Sequence, residues 1–186
     1  MGAKKRVLVI LAGGAEEMEA VIPIDVLRRA GVHVDVAGLD GPGVVTCSRE
    51  VRIAPDLALD AATGGYDAVV LPGGAAGAQK LAESERVGAL LERAEREGKV
   101  VGAICAAPFA LAQHGVFAGK RMTCHPSVHA IVSAHASLAL GKVVEDGMLI
   151  TSPGPGAAFD FALALVEKLV GAEVASEVAS GMLLED

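Results

Sequence analysis

Short apolar runs alternate along the chain with longer segments in which apolar residues recur every three or four positions. Most of the runs are continuously apolar and rich in β-branched residues, as in strands buried on both faces of a parallel sheet. They predict strands over 6–11, 32–39, 66–71 and 100–104. The periodic segments place apolar residues on one face of a helix. They predict helices over 16–30, 84–97, 155–169 and 173–179.

Turn and cap residues mark the ends of these segments. Gly31 and Gly98 follow the first two predicted helices, and Ser84 caps the second. Pro23 lies inside the first helix and predicts a kink or a break there. The remaining predicted features are shorter: hairpins over 44–53 and around Glu145-Asp146-Gly147, a strand end over 122–125, a helix over 127–134, and irregular chain over 55–60.

Strands that alternate with helices form parallel sheets covered by helices on both faces. We therefore expect an α/β protein, built as a three-layer α/β/α sandwich with a mainly parallel sheet and a small antiparallel edge. One domain is expected over residues 1–186. Hydrophobic residues make up 52% of the chain, which is enough for a core and excludes a disordered protein.

Composition also disfavours several kinds of partner. The net charge of −7 and the aromatic content of 3% argue against nucleic acid, which selects basic surfaces and stacking rings. The apolar stretch 157–170 contains Asp160, Glu167 and Lys168, so no membrane span is predicted. The chain has 3 widely spaced cysteines and no Cys-x-x-Cys, which disfavours disulfides and structural zinc and indicates a reducing intracellular compartment.

Cys105 lies where the predicted strand 100–104 meets a predicted helix that begins at Ala106. A sharp strand-to-helix turn lifts a nucleophile clear of the sheet, and the small residues Ala103, Ala106 and Ala107 permit such a turn. The amino end of the helix is expected to favour the thiolate and to lower the pKa of the thiol. The alternative is that Cys105 is a buried packing residue, as free cysteines often are.

Three carboxylates, those of Glu16, Glu17 and Glu19, follow the first strand. Ligands bind at the carboxyl ends of parallel strands, so this segment is expected to face Cys105. Acidic residues in a first helical turn are also favoured by the helix dipole, and that explanation suits two of the three. Spacing does not decide which carboxylate points inward.

Two further features are candidates for the same site. Gly73-Gly74 allows backbone N–H groups to approach a substrate oxygen, and with the N–H of Ala106 would form an oxyanion hole; the alternative is an ordinary tight turn. His125 precedes a proline that can start a helix, which makes it the best candidate base. His125 and His129 also have metal-ligand spacing, but the sequence offers no third ligand, so no metal is predicted.

Several segments, in order along nearly the whole chain, resemble the deglycases of the DJ-one/PfpI superfamily. They include VLVILAGGAEEMEAVIPIDVLRRAG, YDAVVLPGG, AICAAP, CHPS and LITSPGP. The resemblance implies a flavodoxin-like fold and a homodimer. It also implies that Cys105 is an oxidation-sensitive nucleophile, that Glu19 is its protonated partner, and that His125 is an active-site histidine.

The resemblance also assigns the surroundings of this site. Gly74 and Ala106 match the amides of the oxyanion hole. Gly73, Arg29, Arg49 and Pro155 match residues of the substrate pocket near the dimer interface. Pro153 stands where related sequences usually carry arginine, and no carboxylate follows His125 two residues later, so a Cys-His-Glu triad is absent.

The function implied by the resemblance is a cofactor-free, cysteine-dependent glyoxalase III or deglycase of the cytoplasm, the nucleus and the mitochondrion. It would act on methylglyoxal and glyoxal, free or as early adducts on protein or nucleotides, and release lactate or glycolate. The alternative is a non-enzymatic redox sensor and redox-dependent chaperone that uses Cys105 as a switch. A peptidase is the least supported interpretation.

Overall fold

The computed structural model describes residues 4–184, and the apolar runs form its strands. Eleven strands are present among these residues. They are β1 (Arg6–Leu11), β2 (His33–Gly38), β3 (Val45–Thr46), β4 (Arg52–Ile53), β5 (Leu57–Ala58), β6 (Ala68–Leu71), β7 (Val100–Ile104), β8 (Arg121–Met122), β9 (Ser137–Leu138), β10 (Val144–Asp146) and β11 (Leu149–Ser152).

Seven helices are present among residues 4–184, four of them at the predicted periodic segments. They are α1 (Glu17–Arg29), α2 (Ala75–Glu83), α3 (Glu85–Arg96), α4 (Pro108–Gln113), α5 (His129–Ser133), α6 (Ala158–Val170) and α7 (Ala172–Gly181). Short 3₁₀ turns occupy Leu59–Ala61, Pro126–Val128 and Pro155–Ala157. Within residues 4–184, the longest helices, α1 and α6, have 13 residues each, and none has the length and apolar character needed to cross a bilayer.

The main sheet has seven strands in the order β10-β11-β7-β6-β1-β2-β5. Its strands are parallel except β10, which forms the predicted antiparallel hairpin with β11. The inner order β2-β1-β6-β7-β11 is that of flavodoxin-like sheets. One apolar layer lies between the sheet and α1 and α6, and a second lies between the sheet and α3 and α4. The predicted three-layer α/β/α sandwich is therefore confirmed.

The predicted caps are present. Ser84 accepts a hydrogen bond from the Val87 N–H at 3.3 Å and begins α3. After α1, Gly31 has φ 75° and donates to the Arg28 carbonyl, while Val32 donates to the Leu27 carbonyl. These two bonds satisfy the last carbonyls of the helix, as in a Schellman motif.

Three features of the fold differ from the sequence-based predictions. Pro23 does not break α1, because the buried faces on both sides of it hold the helix against the sheet and α6. The segment 55–60 contains β5, a two-residue edge strand. Helix α2 was not predicted, because it packs through small residues: a Cβ on Gly77 would lie 2.8 Å from the Ala15 Cα, so the close approach requires glycine.

Gly102 in β7 provides a test of the packing against α6. A Cβ there would lie 2.9 Å from the Phe161 Cζ and 3.1 Å from the Leu165 Cδ2. We expect Gly102→Val to lower the free energy of unfolding by about 1–3 kcal/mol, because overpacking displaces buried side chains. Urea denaturation measures this change. Gly156→Ala, with no atom within 4 Å of the new Cβ, is the control and should change little. Equal stability of both variants would contradict this packing.

Candidate active site

Cys105 follows β7 directly and has a left-handed backbone with φ 63°, which is uncommon for a residue other than glycine. Two hydrogen bonds of 2.8 Å maintain this strained backbone conformation. The Cys105 N–H donates to the Ser152 carbonyl, and the His125 N–H donates to the Cys105 carbonyl. Cys105 is 8% exposed. This is the sharp elbow after a buried strand that the sequence predicted.

The predicted helix start is wrong by two residues. Helix α4 begins at Pro108 and has only 6 residues, so its dipole is small. Individual amides act on the sulfur instead: the N–H groups of Gly74 and Ala106 lie beside the Cys105 thiol group and lower its pKa. The structure thus brings Gly74, Ala106 and Cys105 together at the carboxyl ends of β6 and β7.

Glu19 is the carboxylate that faces Cys105, and it is fully buried. Its Oε2 accepts a hydrogen bond from the Gly73 N–H at 2.9 Å. Its Oε1 has no hydrogen-bond partner within residues 4–184. The Cys105 thiol is the neighbouring proton donor, and it lowers the pKa of this carboxyl. A protonated Oε1 would in turn have a hydrogen to donate toward the sulfur.

Gly73 permits this close packing. A Cβ there would lie 2.7 Å from the Cys105 Cβ, 2.7 Å from the Glu19 Oε2 and 2.8 Å from the Ile104 carbonyl oxygen. A side chain would therefore separate the carboxyl from the elbow. The Gly73 N–H is taken by Glu19, so it is Gly74, and not Gly73, that has an amide directed at the sulfur.

Burial raises the pKa of Glu19 to about 7, with a smaller contribution from the negative charge of Glu16 and opposition from the hydrogen bonds of Cys105 and Gly73. Burial and the negative charge of Glu19 raise the pKa of Cys105 to about 12, against the amides of Gly74 and Ala106. The predicted lowering of the thiol pKa is therefore wrong when Glu19 is ionised. Because the two groups interact, their protons belong to the pair, which loses the first near neutral pH.

The two other carboxylates of this segment have structural roles. Glu16 caps α1 by accepting from the Glu19 N–H at 2.9 Å. Glu17 is buried and accepts from the Ser48 hydroxyl and the Arg49 N–H, both at 2.7 Å. Burial opposes ionisation of Glu17, but these hydrogen bonds lower its pKa. Sequence spacing gave no signal for the contact of Glu17 with Ser48 and Arg49, because that loop lies about thirty residues further along the chain.

His125 is exposed and caps the 3₁₀ turn that Pro126 begins, as the sequence predicted. Its Nδ1 accepts from the Ser127 N–H at 3.2 Å and lies 2.8 Å from the Ser127 Oγ. Since Nδ1 is an acceptor, the proton of the neutral ring is assigned to Nε2. His129 Nε2 lies 3.2 Å from the Cys124 carbonyl, and residues 4–184 contain no cluster of three or more groups able to hold a metal ion.

The expected pocket residues are only partly near Cys105 within one chain. Arg49 is on the loop that Glu17 holds, and its guanidinium donates to the Ser48 carbonyl at 3.2 Å. Pro155 begins the 3₁₀ turn before α6. Arg29 is ten residues beyond Glu19 on α1, about 15 Å along the axis, and pairs with Asp25 at 2.6 Å. One chain alone does not bring Arg29 to the sulfur.

Comparison with known proteins identifies the family. The sequence profile of the DJ-1/PfpI family matches residues 5–168. The chain belongs to the DJ-1/PfpI family. It is 51% identical to the Parkinson disease protein 7 homolog of Danio rerio, over 99% of this chain and 100% of that protein. The glutathione-independent glyoxalase DJR-1.2 of Caenorhabditis elegans is 40% identical, over 99% of both chains.

Solved structures of the family share the fold. The crystal structure of Drosophila melanogaster DJ-1beta has a TM-score of 0.95 and 51% identity, and the match covers 97% of this chain and 98% of that one. Oxidized Toxoplasma gondii DJ-1 has a TM-score of 0.91 and 35% identity, with 96% and 98% covered. The similarity therefore extends over the sheet, the elbow and the flanking helices.

The buried Glu19 should make stability depend on pH. Its pKa rises from 4.5 to about 7 on folding, so its stabilising effect is fully present below pH 4.5 and is lost as the pH rises toward 7. We expect the unfolding free energy to fall by up to roughly 3 kcal/mol across this window. Glu19→Gln should remove this loss. Urea denaturation across the pH range compares the two, and a parallel decline in both proteins would contradict a raised pKa of Glu19.

Proposed function

We propose that this protein is a cysteine-dependent glyoxalase that converts methylglyoxal to lactate and glyoxal to glycolate without glutathione. The observation that carries the proposal is the arrangement around one sulfur: Cys105 meets two backbone amides and a buried carboxyl that retains a proton near neutral pH. The family relative from Caenorhabditis elegans, named as a glutathione-independent glyoxalase, supports the same reaction class.

In the first step the Cys105 sulfur adds to the aldehyde carbon, and a hemithioacetal forms. Ionised Glu19 takes the proton of the Cys105 thiol as the sulfur attacks, and the amides of Gly74 and Ala106 stabilise the negative charge that develops on the sulfur. The same two amides then hydrogen-bond the developing oxyanion. The Glu19 proton moves to that oxygen as the carbon–sulfur bond forms.

In the second step the aldehyde carbon loses its hydrogen as a proton and the neighbouring ketone carbon gains one through an enediol. Glu19, now a carboxylate, accepts the first proton and returns it to the ketone carbon, while the Nε2–H of His125 donates a hydrogen bond to the ketone oxygen. Ser127 supports this role because it occupies Nδ1. The aldehyde carbon is oxidised and the ketone carbon reduced within one molecule, so the balance needs no external oxidant. Water cleaves the resulting thioester, which releases lactate and restores Cys105.

Turnover of methylglyoxal tests this proposal. Purified protein should consume methylglyoxal without glutathione and release an equal amount of lactate. Cys105→Ser should reduce turnover to background, and Glu19→Gln should lower kcat by about 10²–10⁴-fold. Cys47→Ser, at another buried thiol, is the matched control and should retain turnover. Full activity in Cys105→Ser would overturn the proposal.

We extend the proposal to deglycation of early adducts on protein and nucleotides. The buried elbow adjoins the exposed His125, whose N–H donates to the Cys105 carbonyl, and this short path to the surface supports access by an adduct. A preformed adduct, incubated with the enzyme and an excess of a free-glyoxal trap, separates the two activities. Lactate released despite the trap supports deglycation, whereas lactate that disappears with the trap limits the enzyme to free dicarbonyls.

The second candidate function is a redox sensor with redox-dependent chaperone activity. It is favoured by the sulfur's two amide donors and by the unpartnered Oε1 of Glu19, because both could hydrogen-bond the oxygens of a sulfinate. Mild peroxide should add two oxygens to Cys105, which intact mass measures. Protection of unfolded clients that persists after loss of glyoxal turnover would favour this function over the enzyme.

We also propose that the protein is a homodimer that uses α1. Met18 and Val21 are 51% and 47% exposed and share one face of α1 with Asp25 and Arg29. Val51, 48% exposed, follows the loop that Glu17 holds beside the start of α1. Antiparallel pairing of two α1 helices would cover these residues. It would also bring Arg29 of one copy toward the Cys105 end of α1 in the other.

Val21→Glu should therefore separate the dimer, because it places a charge in the centre of this apolar face. Sedimentation velocity should give twice the chain mass for the wild type and the single chain mass for the variant. Leu140→Glu, at a residue that is 98% exposed on another part of the chain, is the control and should remain dimeric. A monomeric wild type would contradict the proposal.

We place the protein in the cytoplasm, with nuclear and mitochondrial pools. The three free cysteines, all within the described residues, support a reducing compartment.

A further inference from the structure

A cavity of about 530 Å³ lies at the end of the sheet opposite to Cys105. It is bounded by the segments that lead into β6 and β7 and by one side of α3. Tyr66 and Lys99 precede the amino ends of these strands, whereas Gly73 and Cys105 follow their carboxyl ends. Because the two strands are parallel, the cavity and the candidate active site are at opposite edges.

The cavity has the size and the mixed lining of a small-molecule site. Pockets for small organic ligands have volumes of about 300–1,000 Å³ and combine an apolar lining with a few polar groups. Here Val69, Leu90 and Ala94 supply apolar surface. The polar groups come from Tyr66 and from charged residues at the rim.

The charged rim is mainly positive, although the whole chain carries a net charge of −7. Arg86, Arg93 and Lys99 line the cavity together with one carboxylate, Glu97. Arg93 Nε pairs with Glu97 at 2.8 Å, and Arg86 pairs with the exposed Asp60. Lys99 makes no ion pair with the described residues, although its charge acts on the nearby carboxylates of Asp67 and Glu97. Its ammonium is therefore available to pair directly with a ligand.

The aromatic wall is already fixed in place. The Tyr66 hydroxyl donates to the Asp35 Oδ2 at 2.8 Å, and the Arg6 guanidinium lies 4.7 Å from the ring centroid. Arg6 also donates to Asp35 at 2.9 Å, which locks the three side chains together. A ligand that contacts Tyr66 would therefore order few new side chains, which lowers the entropic cost of binding.

We propose that this cavity binds a small organic monoanion, namely a carboxylate joined to an apolar ring or a short acyl chain. The carboxylate pairs with Lys99 and the adjoining guanidinium groups, and the apolar body packs against Val69, Leu90 and Tyr66. A neutral ligand of the same shape leaves Lys99 without a partner. A bare inorganic anion leaves the apolar surface uncovered.

Nitrogen-edited NMR spectra of the full chain test the proposal with naphthalene-carboxylate as the probe. We expect its addition to shift the amide signals of Gly64, Gly65 and Lys99, which lie at or beside the cavity, and not those of Gly74 and Ala106. Naphthalene-methanol and acetate, which lack the charge and the apolar body respectively, should bind at least tenfold more weakly. Shifts clustered at Gly74 and Ala106, or equal binding of the alcohol, would overturn the proposal.

Substitutions of lysine residues test whether the charge of Lys99 binds the carboxylate of the probe. Lys99→Gln should weaken naphthalene-carboxylate binding by about tenfold, as expected for loss of one charged hydrogen-bonding partner. Lys99→Arg should retain binding, which also shows that the fold tolerates substitution at this residue. Lys142→Gln, at a lysine side chain that is 74% exposed and pairs with Asp160, is the control. Unchanged affinity in Lys99→Gln would refute the assignment. Cys105→Ser should bind normally, since this site does not depend on the proposed reaction.

Discussion

The contact between the Glu19 carboxyl and the Cys105 elbow is the constraint on which the rest of the site depends. It requires α1 to begin at the carboxyl end of β1 after a short loop, and Glu16 fixes that start by capping the helix. It also requires β6 to end in Gly73, because any Cβ there would lie 2.7 Å from both Cys105 and Glu19. Three adjacent strand ends are thus fitted around one thiol and one carboxyl.

This contact lowers stability at neutral pH and makes chemistry possible. A buried carboxyl with one unpartnered oxygen resists ionisation, and its pKa rises to about 7. A proton donor with that pKa is well matched to general acid–base catalysis at physiological pH. The strained φ of 63° at Cys105 also lowers stability at the site of the proposed chemistry. The hydrogen bonds to Ser152 and His125 maintain this conformation against the intrinsic preference of the backbone.

The sequence predicted the features that depend on local pattern. The central strands, the caps at Ser84 and Gly31 and the antiparallel hairpin of β10 and β11 follow from periodicity and turn chemistry. Features set by long-range packing escaped prediction. Helix α2 packs through glycine and alanine, Glu17 binds a loop about thirty residues away, and the sign of the Cys105 pKa shift depends on a neighbour from another element. The selection of Glu19 came from family resemblance, since spacing alone left three carboxylates open.

In the proposed dimer, the loop held by Glu17 would supply a cation to the site although the chain carries Pro153 where related sequences usually carry arginine. Arg49 is fixed through its own backbone N–H at 2.7 Å from Glu17, so its position does not depend on the exposed guanidinium. The same carboxylate also holds Ser48, and Val51 follows in the proposed dimer face. A second copy paired along α1 would bring its Arg29 to this edge. The pocket's positive charge would then come from α1 pairing and the Glu17-held loop, with no contribution from residue 153.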